Sequence, residues 1–374
     1  MRRHPWLRAI LILIAASSVH SAEPVPADDP GVPFQLGDGD TVVFVGSEFT
    51  EQRIKHNHLE AALTARWPDR GLRFYNLGWS GDTPAADSRG YFGGAAEGYR
   101  RLMDELNRIK PSVVFLEYGA IAAYDGPDGV QPFLARFDKL VTHVRRHTGR
   151  VVIVTPTPVE TKPRIRDAIA TLQSNRSAVT KALIGYADDH GLRAIDLFRA
   201  GFPGSRRTGY THDGIRLNEE AYAAMADRTL AELKIDAPRL PLEKAAKLRE
   251  LIAWKNDLYF HRYRPQNETY LRGFRKHEQG KNAKEIPLFD AMIAQAEARK
   301  ESAQREADAT LTRARASSEA QQINALGIEK EAAAKGRAEM EVEQLRVDNT
   351  QRMLEAEASG IEAKADALKK YNLA

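Results

Sequence analysis

An alternation of apolar, β-branched runs with helix-type segments over residues 33–235 constrains the fold more than any other feature of the sequence. The runs predict strands at 41–46, 72–78, 112–119, 150–156 and 192–198, and the segments between and after them predict helices near 52–66, 96–109, 131–148, 169–190 and 218–233. Strands that are apolar at nearly every position, such as Val151-Val152-Ile153-Val154, are typical of sheets covered on both faces. The alternation therefore predicts an α/β domain built on a doubly wound parallel sheet.

Short turns rich in glycine, proline and serine follow four of the predicted strands. They are Gly46-Ser47, Gly78-Trp79-Ser80-Gly81, Gly119-Ala120 and Pro156-Thr157-Pro158. The carboxyl ends of parallel strands meet at one edge of the sheet, and in open α/β sheets ligands bind at that edge. The sequence therefore places the functional site there.

The residues at this edge resemble those of the SGNH (GDSL-type) hydrolase family over about residues 38–235. The resemblance implies the flavodoxin-like SGNH-hydrolase fold and places Glu48 where the family has its nucleophilic serine. It also places Gly78 at an oxyanion-hole glycine and Ile121 at the asparagine donor. Asp213 matches the aspartate of the Asp-x-x-His block, whose histidine is Arg216 here.

Ester hydrolysis in this family needs a hydroxyl nucleophile, a base and donors for the developing oxyanion. Glu48 has no hydroxyl, Ile121 donates nothing, and Arg216 stays protonated and cannot serve as a base. The sequence therefore predicts a pseudoenzyme that acts in binding or scaffolding, and the resemblance suggests a carbohydrate or cell-envelope ligand. The predicted binding residues are Ser47, Glu48, Gly78, Trp79, Ser80 and Arg216.

The replacements at Glu48 and Arg216 predict a direct carboxylate–guanidinium pair, with Asp213 as a second anionic partner. Pairing of this kind makes charged side chains tolerable inside a former active site.

An active esterase or carbohydrate deacetylase with a relocated triad is the alternative. In that case Ser47 or Ser80 would be the nucleophile and His212 the base, although both serines equally suit turn and helix-start positions. An active enzyme requires a serine oxygen within hydrogen-bond reach of a histidine. His56 and His58 have no third ligand nearby, so we predict neither a metal site nor a cofactor.

Residues 1–22 have the organisation of a signal peptide. Arg2 and Arg3 precede an apolar stretch at 7–16, and small residues at 19–22 form a cleavage site. The stretch is too short to span a bilayer comfortably, so we expect a secreted or periplasmic protein with no transmembrane segment after cleavage. The chain contains no cysteine, which excludes disulfides and thiolate metal sites.

Residues 239–285 differ in character from the predicted domain. Residues 248–255 look helical, and arginines alternate with aromatic residues over 259–279. Such a segment could stack on bases or sugars, but an extended arm that packs its rings on the sheet domain is the favoured interpretation. The net charge of +4 is not concentrated in a basic segment, so we expect no nucleic-acid partner.

Residues 286–374 have the composition of a long helix, with no proline after residue 287. One strict seven-residue row is apolar, namely Leu326, Ala333, Met340, Val347, Leu354, Ile361 and Leu368. The row four positions further on is polar until its end, whereas a coiled-coil seam needs both rows apolar. The pattern predicts a weak homo-oligomerising helix. A single exposed helix, or one folded back at Gly327, Gly336 or Gly360, remains open.

Overall fold

The computed structural model describes residues 29–163, 166–199, 201–202, 209–236 and 240–371. The predicted signal peptide at 1–22 lies outside these residues. The chain divides into two compact units, Met1–Arg305 and Glu306–Ala374. None of the helices in the described ranges has the length and hydropathy that crossing a membrane requires.

Five parallel strands form the central sheet of the first unit. They are β1 (Thr41–Gly46), β2 (Arg73–Gly78), β3 (Val113–Glu117), β4 (Val151–Val154) and β5 (Arg193–Ile195). Their spatial order is β2-β1-β3-β4-β5, which is the flavodoxin-like order of doubly wound sheets. Gly46 pairs in register with Gly78 on one side and Glu117 on the other, so three strands end level with one another. The predicted fold class is confirmed.

Helices cover both faces of this sheet. They are α1 (Glu48–Gln52), α2 (His58–Arg66), α3 (Gly94–Ile109), α4 (Val130–Val144), α5 (Arg166–Asp189) and α6 (Glu219–Glu232). Val43 and Val45 of β1 pack in one apolar layer, whereas Val42 and Phe44 pack in the layer on the opposite face. Because consecutive strand residues face opposite sides, an all-apolar strand requires this double cover.

One predicted helix, 52–66, is instead the two short helices α1 and α2. The chain turns between them at Asn57, whose buried side chain donates a hydrogen bond of 3.0 Å to the backbone carbonyl of Arg249. A tertiary contact of the loop therefore separates two segments that the sequence pattern joined.

The segment after the sheet domain is more helical than the sequence indicated. A 22-residue helix, α7 (Leu242–Tyr263), replaces the short helix expected at 248–255, and α8 (Glu268–Leu271) and α9 (Lys276–Gln279) follow it. Ile252 and Tyr259 of α7 are buried, and the Tyr263 hydroxyl donates to the Gly78 carbonyl over 2.9 Å. Tyr259 and Tyr263 therefore lie on a helix that contacts the sheet domain, and not on an extended arm.

Helix α10 (Phe289–Tyr371) is continuous through Gly327, Gly336 and Gly360, so it does not fold back at these glycines. Within the first unit, buried Lys300 of α10 is paired with Glu297. Within the second unit, the large apolar side chains of the seven-residue row are exposed. Oligomerisation through this helix stays a prediction.

Candidate functional site

A cleft of about 270 Å³ lies at the carboxyl edge of the sheet, where β1 and β3 end. Its lining includes Ser47, Glu48, Glu117, Arg176, His212 and Arg216. Three of the predicted binding residues, Ser47, Glu48 and Arg216, are thus brought together by strand ends and a loop that are far apart in sequence. Ile121 also lines the cleft.

The predicted ion pair between Glu48 and Arg216 is wrong. No salt bridge of 4.0 Å or less joins these two described side chains, and Arg216 Nε instead donates to Asp213 Oδ2 over 2.7 Å. The Arg216 backbone N–H also donates to Asp213 Oδ1 over 2.8 Å. The tight turn at Gly214, with φ of 99°, brings the guanidinium to a carboxylate three residues away. Asp213, the predicted second partner, is therefore the carboxylate that Arg216 contacts, and Glu48 is not.

Desolvation and local hydrogen bonds shift the pKa values of Glu48 and Asp213 in opposite directions. Desolvation raises the pKa of Glu48, and the positive charge of Arg216 only partly opposes this effect. Desolvation also acts on Asp213, but its hydrogen bonds with Arg216 and Ile215 outweigh it and hold the pKa of Asp213 at about 2. Asp213 is therefore a carboxylate at every physiological pH.

Ser47 lies between β1 and α1 with its hydroxyl turned into the protein. Its Oγ is 3.4 Å from both carboxyl oxygens of Glu117, and its backbone N–H donates to Glu117 Oε2 over 3.2 Å. The Ser47 residue is only 3% exposed. Gly46 permits this close approach, because a Cβ there would lie 2.5 Å from the Glu117 carbonyl oxygen. The Ser47 hydroxyl therefore contacts a buried carboxyl group and not a histidine.

Glu117, the last residue of β3, is a site residue that the sequence reasoning missed. It is 2% exposed and also accepts a hydrogen bond of 3.0 Å from the Thr50 hydroxyl. Burial raises the pKa of Glu117 to about 7, in spite of the hydrogen bonds that favour its ionised form. A lone glutamate ending an otherwise apolar strand at the predicted edge was the signal that could have found it.

Arg176 of α5 was missed as well and lies in the cleft lining. Its buried Nη1 donates to the Thr157 carbonyl over 2.8 Å, whereas its buried Nε has no hydrogen-bond partner among the described residues. Burial lowers the pKa of Arg176, while the nearby Tyr124, Glu117 and Glu48 act in the opposite direction. A mid-helix arginine carries no sequence signal for this position.

Gly78, Trp79 and Ser80 do not line the cleft. The Gly78 N–H donates to Asn76 Oδ1 over 2.8 Å, so an internal partner occupies the donor that the family resemblance assigned to an oxyanion. A Cβ on Gly78 would come within 2.2 Å of the Glu51 backbone nitrogen, so close packing against α1 requires this glycine. The Ser80 N–H donates to Glu51, and Trp79 lines a separate cavity.

His212 lines the cleft, but the structure does not join it to a serine. Its backbone N–H donates to the Arg216 carbonyl over 2.9 Å. Within the part of the chain that the structure describes, no serine hydroxyl is hydrogen-bonded to a histidine, and Ser47 contacts Glu117 instead. His56 and His58 both contact the Glu219 carboxylate. The described residues contain no group of three or more histidine, aspartate or glutamate side chains that could hold a metal ion.

Comparison with known proteins gives a family match for half of the chain. The model of the GDSL-like lipase/acylhydrolase family matches residues 39–224. None of the curated proteins compared with the chain matches it. A catalytic mutant of Axe2, an acetylxylan esterase from Geobacillus stearothermophilus, is similar at 16% identity over 56% of this chain and 100% of that chain, with a TM-score of 0.44. BT4096, a gut microbial diltiazem-metabolizing enzyme, is similar at 17% identity over 54% and 48% of the two chains, with a TM-score of 0.41.

Proposed function

Since residues 39–224 belong to the GDSL-like lipase/acylhydrolase family, we propose that this domain keeps the hydrolase fold but no longer hydrolyses esters. The protein then acts by binding a ligand in the cleft at the sheet edge. In this proposal the chain is exported through a signal peptide at residues 1–22, and the ligand is a carbohydrate or another cell-envelope component.

The contact between Arg216 and Asp213 is the observation that carries the proposal. In the family, the aspartate of this block orients a histidine that removes the proton of the nucleophile. Here a guanidinium takes the histidine position, and it cannot accept a proton because it is already protonated at any working pH. The orienting aspartate therefore supports a fixed positive charge instead of a base.

The geometry of Ser47 also argues against hydrolysis. A nucleophile must reach a substrate carbonyl, but the Ser47 residue is almost fully buried and its hydroxyl faces Glu117. The two oxyanion donors that the family resemblance assigns are lost here, because Ile121 has no polar side chain and the Gly78 N–H is bonded to Asn76.

The cleft nevertheless has features of a polar binding site. Exposed Arg216 lies at its mouth and buried Arg176 lies in its wall, with an Nε that lacks a partner among the described residues. An arginine can hold a carboxylate or a hydroxyl-rich ligand through several hydrogen bonds at once. This supports a polar ligand of the cell envelope, such as a polysaccharide with acidic groups.

We expect the purified mature protein to show no turnover of 4-nitrophenyl acetate, 4-nitrophenyl butyrate or acetylated xylan above the background rate. The reason is that the Ser47 hydroxyl is buried against Glu117, and no serine of the cleft is hydrogen-bonded to a histidine among the described residues. The assay compares the wild type with Ser47→Ala, Ser80→Ala and His212→Ala, and all four proteins should give the same rate. Hydrolysis that disappears in any one of these variants would establish a relocated triad and overturn the proposal.

We expect the wild type to bind to insoluble peptidoglycan or xylan in a sedimentation assay, and Arg216→Ala to bind about tenfold more weakly. A lost hydrogen bond to a charged group typically has an effect of this size. Arg346→Ala is the matched control, because Arg346 is an exposed arginine of α10 that also lies beside an acidic residue. If the wild type and Arg216→Ala bound both polymers with equal affinity, the cleft would not be the binding site and the proposal would be wrong.

A further inference from the structure

A second cavity, of about 460 Å³, lies between the carboxyl end of β2, helix α3, the end of α7 and helix α8. It shares no lining residue with the cleft. Its volume is in the range of roughly 300–1,000 Å³ that is typical of small-molecule sites. The cavity is therefore a candidate for a separate ligand site.

Aromatic side chains form one wall of this cavity. The Trp79 ring makes edge-on contacts with Tyr91 and Tyr263, with ring centroids 6.2 and 6.3 Å apart. The guanidinium of Arg264 lies 3.7 Å from the centre of the Trp79 ring and fixes its position. Tyr91 is 40% exposed. The wall thus offers a rigid aromatic surface with one accessible ring.

The arginines of the cavity are already paired. Arg89 contacts Asp82 over 2.7 Å with both side chains buried. Arg101 contacts Glu97 over 2.7 Å, and Arg262 contacts Asp290 over 2.9 Å. An anionic ligand would have to compete with these carboxylates, so the cavity is poorly suited to a phosphate or a sulfate.

Glu268, the first residue of α8, is different because one of its oxygens has no partner. The residue is 4% exposed and lines the cavity. Its Oε1 accepts a hydrogen bond of 3.1 Å from Arg101 and lies 3.7 Å from Arg272. Its Oε2 is buried, and no described residue is hydrogen-bonded to it. A buried acceptor of this kind is costly unless a ligand donates to it.

These contacts restrict the chemistry of the ligand. It must donate a hydrogen bond to the carboxylate of Glu268, which lines the cavity, and a cation is disfavoured because two guanidiniums lie within 4 Å of Oε1. It must also present an apolar face to the Tyr91 ring. A sugar has both features, since its hydroxyls donate and its C–H groups form an apolar face that packs on aromatic rings.

We propose that this cavity binds a neutral saccharide, with Glu268 as the acceptor for a sugar hydroxyl and Tyr91 as the surface under the sugar ring. The site is distinct from the cleft, and its existence does not depend on whether the cleft binds a ligand or hydrolyses one. A saccharide-binding function is thereby assigned to the segment after the sheet domain, which supplies Glu268 and Tyr263.

The test titrates the full mature chain with maltose, cellobiose and xylobiose, followed by saturation-transfer-difference NMR and calorimetry. At least one of these neutral disaccharides should bind saturably. Glu268→Gln should weaken this binding about tenfold or more, because the amide turns its oxygen toward Arg101 and presents N–H groups to the sugar. Tyr91→Ala should weaken it as well, whereas Tyr91→Phe keeps the ring and should bind like the wild type.

Arg216→Ala separates this proposal from the function of the cleft. Arg346→Ala, which lies outside both the cavity and the cleft, should leave disaccharide binding unchanged. Binding that is lost in Arg216→Ala and kept in Glu268→Gln would place the sugar in the cleft and overturn the proposal. The absence of saturable binding of all three disaccharides would overturn it too. Tyr91 is partly exposed, so Tyr91→Ala gives a second readout that does not rely on the folding of a variant at buried Glu268.

Discussion

Glu117→Gln is expected to stabilise the protein by about 3–4 kcal/mol at pH 8 and to change its stability little at pH 4. Burial raises the pKa of Glu117 to about 7 in the folded protein, whereas a glutamate in an unfolded chain titrates near ~4.3. Between these two values the folded state holds a proton that the unfolded state has released. Stability therefore falls as the pH rises through this window and stays lower above it. One pKa unit corresponds to about 1.4 kcal/mol, which gives the expected difference.

Glutamine is a suitable replacement, because its amide oxygen can still accept from the Ser47 N–H and the Thr50 hydroxyl. Urea unfolding between pH 4 and pH 8 measures the effect. Glu250→Gln is the matched control at an exposed glutamate of α7, and it should change stability by less than about 0.5 kcal/mol at each pH. If Glu117→Gln lost stability with rising pH as steeply as the wild type, Glu117 would not be the buried acid inferred here.

The sheet could be predicted closely because a parallel strand covered on both faces needs a run of apolar residues, and such runs are easily recognised. The strand β1 has the predicted bounds Thr41–Gly46, and the other four lie within the predicted ranges. The ends of the helices were predicted less accurately where tertiary contacts determine them. The hydrogen bond of Asn57 to the backbone of Arg249, which is 192 residues away, divides α1 from α2 and leaves no mark in the local pattern.

The sequence located the site at the carboxyl edge of the sheet and identified some of the residues that lie there. Ser47 and Glu48 follow β1 directly, and Arg216 reaches the same cleft from a loop. Asp213 was predicted as the second partner of Arg216 and not as the first, because the sequence does not show that the turn at Gly214 brings the near carboxylate to the guanidinium. Glu117 was missed because the residue at the end of a strand can face either side of the sheet. Arg176 was missed because helical spacing does not show which arginine faces the protein interior.

Lys255→Met is expected to destabilise the protein by about 3–5 kcal/mol, the usual cost of removing one partner from a buried ion pair. Lys255 of α7 is almost completely buried. Its Nζ donates to Glu60 Oε1 of α2 over 2.6 Å and to the Phe74 carbonyl of β2 over 2.9 Å. Methionine fills similar space but leaves the buried Glu60 carboxylate with one hydrogen bond among the described residues, from the amide of Asn256 over 3.0 Å.

The double variant Glu60→Gln/Lys255→Met should recover much of the loss, because it removes the uncompensated negative charge and keeps an acceptor for Asn256. Lys247→Met is the matched control on the same helix, since its ion pair with Glu250 is exposed and should be worth less than about 1 kcal/mol. Urea unfolding of the four proteins gives the comparison. Because α7 supplies Arg262 and Tyr263 to the lining of the second cavity, a large loss of stability in Lys255→Met would show that the helix is part of the folded domain. A Lys255→Met variant as stable as Lys247→Met would mean that α7 adds little to the domain, and the cavity would then lack a rigid wall.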